Sequence, residues 1–285
     1  MYGIINLIIL GILLGGVYAL IGLGLSISFG ITRIINVSHG NFVLLSTYLA
    51  YLFLTRMAID PFITLAISCP ILFLIGYGMQ KFALNRLIPR GDETIIVFTF
   101  GIALILENLY LYIFSPMTRG LITPYTLISF DIIGLHIPFT YLIGFILALI
   151  IAICSKLFFD RTFLGLAIKA VTQDREASLL MGINNEFIRS LALGISLVVA
   201  AIAGVSLGTI MPFTPSTGWG FLLFAFGIIV VGGVGSIIGT FIGGIVLAES
   251  QLLGGYYFGI GWSLFFGYLI IILFLAFRPK GIFGK

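Results

Sequence analysis

From Met1 to Gly30 the chain contains no Asp, Glu, Lys or Arg. No other feature constrains the fold so tightly. The apolar run from Ile4 to Ile31 exceeds the roughly 20 residues that a helix needs to cross a bilayer. It is also longer than the apolar part of a cleavable signal, and residues 1 to 6 carry no Lys or Arg. The first span is therefore expected to be retained. The same scarcity of charge extends along the chain: 8% of the 285 residues are charged and 60% are hydrophobic. Soluble domains carry about 25% charged residues. Such a chain cannot cover a water-facing surface, so it reads as an integral membrane protein. Its apolar runs are continuous, without the ten-residue alternation of a membrane barrel, so the expected class is all-α.

Apolar spans are expected near 4–29, 37–54, 61–80, 94–114, 138–158, 189–211, 221–234, 237–253 and 260–277. The seventh and eighth are short and suit one broken or re-entrant unit, which makes the count eight or nine. Lys and Arg concentrate on the cytoplasmic side of membrane proteins. Lys81, Arg86 and Arg90 form one basic group, residues 156 to 189 a second, and Arg278, Lys280 and Lys285 a third. Placing all three inside gives a cytoplasmic C-terminus. With nine spans it also puts Arg33 inside and the N-terminus outside. Arg119 against Asp131 in the outer loop 115 to 137 agrees with this.

One membrane domain, 1–285, is expected, with no soluble domain. Without a phosphate-binding loop the chain is not expected to hydrolyse ATP, and no catalytic Ser, His and Asp arrangement is visible. It is therefore not read as an enzyme. No cofactor or metal is expected. The net charge of +4 gives no support for nucleic-acid binding. Cys69 and Cys154 sit in apolar runs and read as small buried hydrophobes.

Against this background the stretch "ITRIINVSHGNF" (31–42) stands out, because it groups Arg33, Asn36, Ser38, His39, Gly40 and Asn41. A shift of 178 residues aligns "SFGITRIINVSHG" (28–40) with "SLGTIMPFTPSTG" (206–218), so that Ser38 and Gly40 fall on Ser216 and Gly218. Weak internal repeats of this kind are frequent in transporters. Pseudo-repeats are expected over 1–114 and 189–277, inverted across the membrane. Each copy ends one helix and starts another, with Ser38 or Ser216 as candidate N-cap and Pro212 and Pro215 enforcing the second break. Irregular backbone at membrane depth survives only where protein or a water-filled cavity satisfies it. Asn36, Ser38, His39, Gly40, Asn41, Thr214, Ser216 and Gly218 are thus candidates for a pathway or gate. An interfacial loop with a helix cap is the alternative.

Other features carry two readings each. Gly235, Gly239 and Gly243 form a double GxxxG that suits close helix packing inside the protein or, less readily, a subunit interface. Glu107 and Glu249 lie in apolar runs beside Asn108, Ser250 and Gln251, and suit a polar pathway or buried interhelical hydrogen bonds. Glu249 joins the pathway candidates. His39 reads as a hydrogen-bonding residue and not as a metal ligand.

The loop "RTFLGLAIKAVTQDREASLLMGINNEFIRS" (161–190) mixes apolar residues with Lys169, Asp174, Arg175 and Glu176. A helix parallel to the membrane and ending near Gly182 is expected. Its apolar face needs a cover, from a partner or from the bundle itself.

Within this loop "EASLLMG" (Glu176 to Gly182) resembles the E-A-A-three residues-G loop of ABC transporter permeases, with Ser178 in place of the second Ala. "IINVSHGNF", "ASLLMGIN" and "VVGGVGSIIGTFIGG" together resemble the shorter, H-type permeases of branched-chain amino-acid ABC importers, in order over nearly the whole chain. The resemblance implies an ABC importer permease fold in a bacterial inner membrane. It implies a second, homologous permease, two cytoplasmic ATP-binding subunits and an extracytoplasmic binding protein as partners, alongside membrane lipid. It makes 159–189 the coupling loop, with Lys169, Asp174, Arg175, Glu176, Ala177, Ser178 and Gly182 docking on the ATPase. It makes leucine, isoleucine or valine the expected cargo. Related permeases carry urea, amides and other amino acids, so the cargo stays open among these. A secondary transporter is the alternative from another class. It would need buried ionisable pairs and would work without ATP. Helix N-termini after Ser38 and Ser216 are suited to a passing carboxylate.

Overall fold

In hydrocarbon each backbone group must find its partner within the chain, so the apolar runs become helices. A computed structural model describes residues 2–32, 36–132 and 134–284. Arg33 and Lys285, both part of the charge pattern, lie outside the described residues.

The first helix, α1 (Tyr2–Thr32), is followed by α2 (His39–Met57) and α3 (Leu65–Gly78). The third helix runs on through a π turn, Met79–Leu84, the short α4 (Asn85–Leu87) and a 3₁₀ turn, Ile88–Arg90. Then come α5 (Asp92–Phe114), α6 (Phe139–Arg161), α7 (Phe163–Gln173), α8 (Arg175–Leu180), α9 (Asn185–Ile210), α10 (Thr217–Gly232), α11 (Ile237–Phe258) and α12 (Ser263–Phe277).

Seven of these segments are long and apolar enough to cross a membrane: α1, Leu65–Arg90, α5, α6, α9, α11 and the stretch Ile260–Phe277. The other two of the eight or nine expected spans correspond to α2 and the shorter α10, which fall short of that length or hydropathy among the described residues. The eighth is not short: α11 runs 22 residues, to Phe258. Only the seventh is short, with 16 residues in α10. One departure from the all-α expectation occurs in the loop between α5 and α6. Strands β1 (Ser129–Ile132) and β2 (Leu135–Pro138) form an antiparallel hairpin, turning at Gly134 with φ +79°.

The centre of the bundle is the pair α1 and α9. The membrane-crossing window of α9 is 83% buried, whereas that of α12 is 11% buried, so α9 is core and α12 is rim. Packing follows a regular plan. Helix α1 lies along α11 and also touches α10, while α9 lies along α3 and also touches α2. Small residues permit this. A methyl added at Gly204 would stand 2.0 Å from Val43 O, and one at Gly244 would stand 2.5 Å from Gly15 O. Hydroxyls bind the helices across the gaps, with Ser46 Oγ donating to Ala201 O (2.7 Å), Thr47 Oγ1 to Gly204 O (2.8 Å) and Ser196 Oγ to Gly24 O (2.6 Å). Small residues with interhelical hydrogen bonds are the usual means of association where lipid supplies no hydrophobic drive.

The glycine motif packs internally, as the first of its two readings has it. Gly239 and Gly243 seat α11 against the backbone of Gly232 and Ile228 in α10. Gly235 is a correction to the motif. It lies in the turn before α11 with φ +76° and not on the helix face.

Candidate translocation site

The first break, from Asn36 to Ser38, is a buried polar knot. Asn36 Oδ1 accepts from Ser38 N (3.1 Å) and from Ser38 Oγ (2.6 Å), and Asn36 O accepts from His39 N (3.1 Å). His39 is fully buried, with Nε2 3.2 Å from Ile21 O, so that nitrogen carries the proton. Gly24 makes room for the ring: a methyl there would stand 3.0 Å from His39 Cε1. Tyr110 Oη donates to Asn41 O at 2.9 Å. Because His39 reaches Ile21 and Gly24, midway along α1, helix α2 starts well inside the bundle.

The second break, from Met211 to Ser216, is built differently. Phe213 is buried and pairs through both backbone groups with Arg119, at 2.8 and 2.9 Å. Thr217 Oγ1 accepts from Thr214 N (2.8 Å), and the hydroxyls of Thr214 and Ser216 stand 3.2 Å apart. Ser216 is exposed. Ser38 and Ser216 do occupy the N-cap positions of α2 and α10, but neither side chain caps its helix. Both have helical φ and ψ, and a capping side chain needs the extended geometry. Ser38 is committed to Asn36 instead, and Ser216 lies beside Thr214.

The two breaks meet. A methyl at Gly40 would stand 2.0 Å from Gly218 O, and one at Gly218 would stand 2.4 Å from Asn41 Oδ1. The starts of α2 and α10 therefore cross backbone on backbone, at the two glycines aligned by the 178-residue shift. Beside the crossing, Trp219 Nε1 donates to Glu107 Oε2 at 2.7 Å, and Phe100 lies 5.6 Å from the Trp219 ring. Glu107 thus has an interhelical partner.

Beyond the crossing the bundle is sealed by aromatic rings. Tyr48 contacts Tyr110, Phe114 and Phe213 at centroid distances of 4.9, 4.4 and 5.1 Å. Arg119 covers this cluster, donating to Tyr51 Oη and Phe114 O, with its guanidinium 4.9 Å from the Tyr51 ring. In the same loop between α5 and α6, burial, with Asp60 adding to it, pushes the Tyr125 hydroxyl above its usual range. On the opposite side of the crossing lies a cavity of ≈ 20 Å³, with Asn36, Gln80 and Thr99 among its polar lining. Thr99 Oγ1 accepts from Val37 N at 3.3 Å.

Glu249 does not join this cluster. It faces Gly11 of α1, where an added methyl would stand 2.4 Å from its carboxyl carbon. Gly11 precedes Ile21, the partner of His39, by ten residues, about 15 Å along a helix.

The loop after α6 forms two helices where one was expected, because Asp174 interrupts them. Its backbone is extended, and its side chain caps α8 by accepting from Glu176 N (2.9 Å) and Ala177 N (3.0 Å). Arg175 opens α8. Gly182, with φ +78°, ends this segment as expected, and Ile183 N returns to Ser178 O at 3.1 Å. Lys169 pairs with Asp160 at the end of α6. Ser178 faces inward and donates to Asn185 Oδ1 at 2.9 Å, while Glu176, Ala177 and Gly182 are exposed. Leu180 and Met181 are 88% and 81% exposed, so the apolar tip of this loop is uncovered.

Three participants were not singled out from sequence. Gln80 closes an apolar run and signals little by itself. Trp219 is one of two tryptophans. Arg119 was noticed only as a loop charge.

Seven membrane-length apolar segments among the described residues, with α2 and α10 starting at the two breaks, define a multi-pass membrane protein of the transport permease class. The chain belongs to the family of branched-chain amino acid transport system permease components, which it matches over residues 7–275. It is similar to the high-affinity branched-chain amino acid transport system permease protein BraD of Pseudomonas aeruginosa, at 29% identity over all of this chain and 97% of that protein. The LivH protein of Salmonella typhimurium, of the same description, is 27% identical over 96% of this chain and 94% of its own. A probable LivH of Methanocaldococcus jannaschii is 26% identical, covering 96% and 90%. No solved structure matches the chain.

Proposed function

We propose that this chain is the membrane-spanning subunit of an ATP-driven importer that moves leucine, isoleucine or valine across the bacterial inner membrane. ATP is hydrolysed on two separate subunits, a second homologous permease completes the pore, and an extracytoplasmic binding protein delivers the cargo. The observation that carries this reading is the uncovered apolar tip of the α7–α8 loop. Its rim is held by Asp174, Ser178 and Gly182, while Leu179, Leu180 and Met181 are exposed. An apolar tip on a rigid base, outside the spans, suits docking into a groove of a soluble subunit.

The basic groups of residues 81–90 and 156–189 and of the C-terminal tail support a cytoplasmic loop, a cytoplasmic C-terminus and an extracytoplasmic N-terminus. The meeting of Gly40 with Gly218, and the α1–α11 and α9–α3 pairings, support inverted repeats over 1–114 and 189–277. On this reading Asn36 to Asn41 and Thr214 to Gly218 form the gate, and Glu249 stands apart from it. A zwitterion with an aliphatic side chain needs few charges along its path, which agrees with the near-absence of ionised groups at the crossing.

The test is to tag the C-terminus, extract in mild detergent and identify the co-purifying chains. Two ATP-binding chains and a second permease are expected, with ATP-dependent leucine uptake after reconstitution with the binding protein. Gly182→Glu, or Glu176→Lys with Ala177→Asp, should leave the chain inserted and separate ATP hydrolysis from uptake. Recovery of the chain alone, transporting without ATP, would replace this reading with a secondary transporter.

A further inference from the structure

Two buried amide groups border the cavity on the inner side of the crossing, and each has one atom without a hydrogen-bond partner. They are Asn36 Nδ2 and Gln80 Oε1. Their orientations are fixed by their other halves. Asn36 Oδ1 is engaged twice by Ser38, and Gln80 Nε2 donates to Asn85 Oδ1 at 3.0 Å. One orphan is therefore a donor and the other an acceptor. Gln80 is wholly buried, and it is set in the π turn Met79–Leu84. Single π turns cost hydrogen-bond geometry and gather at functional sites. Unpaired polar atoms at such depth are costly to leave unsatisfied.

Ser28 and Thr99 add hydroxyl groups to the lining, and its apolar part is Leu84, Ile88, Ile95 and Leu193. The cavity's ≈ 20 Å³ suits one water and not an amino acid. A larger ligand enters only when α3 and the first break separate.

We propose that Asn36 and Gln80 form the inner station for the head group of an aliphatic amino acid leaving the transporter. The ammonium donates to Gln80 Oε1, and the carboxylate accepts from Asn36 Nδ2. The aliphatic side chain lies against Leu84, Ile88, Ile95 and Leu193. Two neutral amides meet a zwitterion without placing a net charge in the bundle, and their weak hold suits release. The inference rests on the importer reading and adds to it the residues that contact the cargo on the inner side.

The test uses the transporter assembled with its ATP-binding subunits, second permease and binding protein, in vesicles with the cytoplasmic face outward. Ile88→Cys is introduced together with Cys69→Ala and Cys154→Ser, and modification of this chain by a charged thiol reagent is timed. ATP-driven leucine transport by this complex checks the importer reading separately. Saturating leucine should slow modification about tenfold, in proportion to site occupancy. The carboxylate isostere lacking the ammonium should not. Gln80→Met should abolish leucine protection while leaving the leucine-free labelling rate unchanged. Asn36→Asp, which keeps the bonds from Ser38 and loses the donor, should do the same. Should Gln80→Met fail to assemble, Asn36→Asp decides. Equal labelling with and without leucine, in a complex that still transports leucine, would overturn the proposal. Absence of leucine transport in the parent complex would remove the importer reading and this proposal with it.

Discussion

The two breaks carry the same small residues at the same spacing, yet they are held open by different means. Between Asn36 and Asn41 the chain is buried and held by side chains. One amide oxygen bonds Ser38 twice, and an imidazole reaches across to Ile21. Between Met211 and Ser216 it is held by covalent geometry and by a neighbouring loop. Pro212 and Pro215 remove two donors, and Arg119 pairs with Phe213 through the backbone. The lesson concerns cost. A polar knot inside a membrane protein has no water to fall back on, so each member of the first break matters more than its counterpart in the second.

The greatest effect should fall where the breaks touch. Gly40→Ala drives a methyl into the backbone of Gly218 and Leu222, and Gly218→Ala drives one into the buried side-chain amide of Asn41, so overpacking here should cost about 3 kcal/mol, most at Gly40. Either variant should lose folded yield and uptake together. Equal tolerance at both positions would show that the crossing yields, and would end the claim of direct backbone contact.

His39→Ala comes next. It removes the second bond to Ile21 O, which keeps its own helix bond, and opens a void beside Gly24, together about 3 kcal/mol, read as thermal stability of the purified complex. Arg119→Met probes the second break from outside. Losing the bonds to Tyr51 and Phe114 should cost about 1–2 kcal/mol, with uptake reduced but not abolished. A loss as large as that of His39→Ala would reverse the ranking of the two breaks. The finest comparison is the serine pair. Ser38→Ala should cost about 1 kcal/mol and Ser216→Ala at most about 0.5, since only the first hydroxyl is buried. Identical values would mean that burial does not separate them.

Much of this architecture was legible beforehand. Nine apolar runs became helices near the expected places, because hydrocarbon leaves the backbone few other choices. The breaks were legible from polar residues and prolines standing in apolar surroundings. Gly182 was legible as a stop, and takes φ +78°. Asp174 was read as a loop charge, although it splits the loop helix by capping α8. Its competing use as a cap depends on the extended backbone before it, which one-dimensional pattern does not reveal. Glu249 was grouped with the gate because polarity at depth looks alike in every span. Its distance from the breaks is a matter of which helix faces which.

The sequence by itself therefore determined the solvent this protein lives in, its helical class, its spans and its family, since these follow from local composition and the obligation to satisfy backbone bonds. Only the tertiary structure decided that Gly40 lies on Gly218, that Trp219 answers Glu107, and that Asn36 and Gln80 border one cavity. Those residues are separated by tens to hundreds of positions. Small side chains and close backbones bring them together, and nothing within a single span encodes which neighbour it will meet.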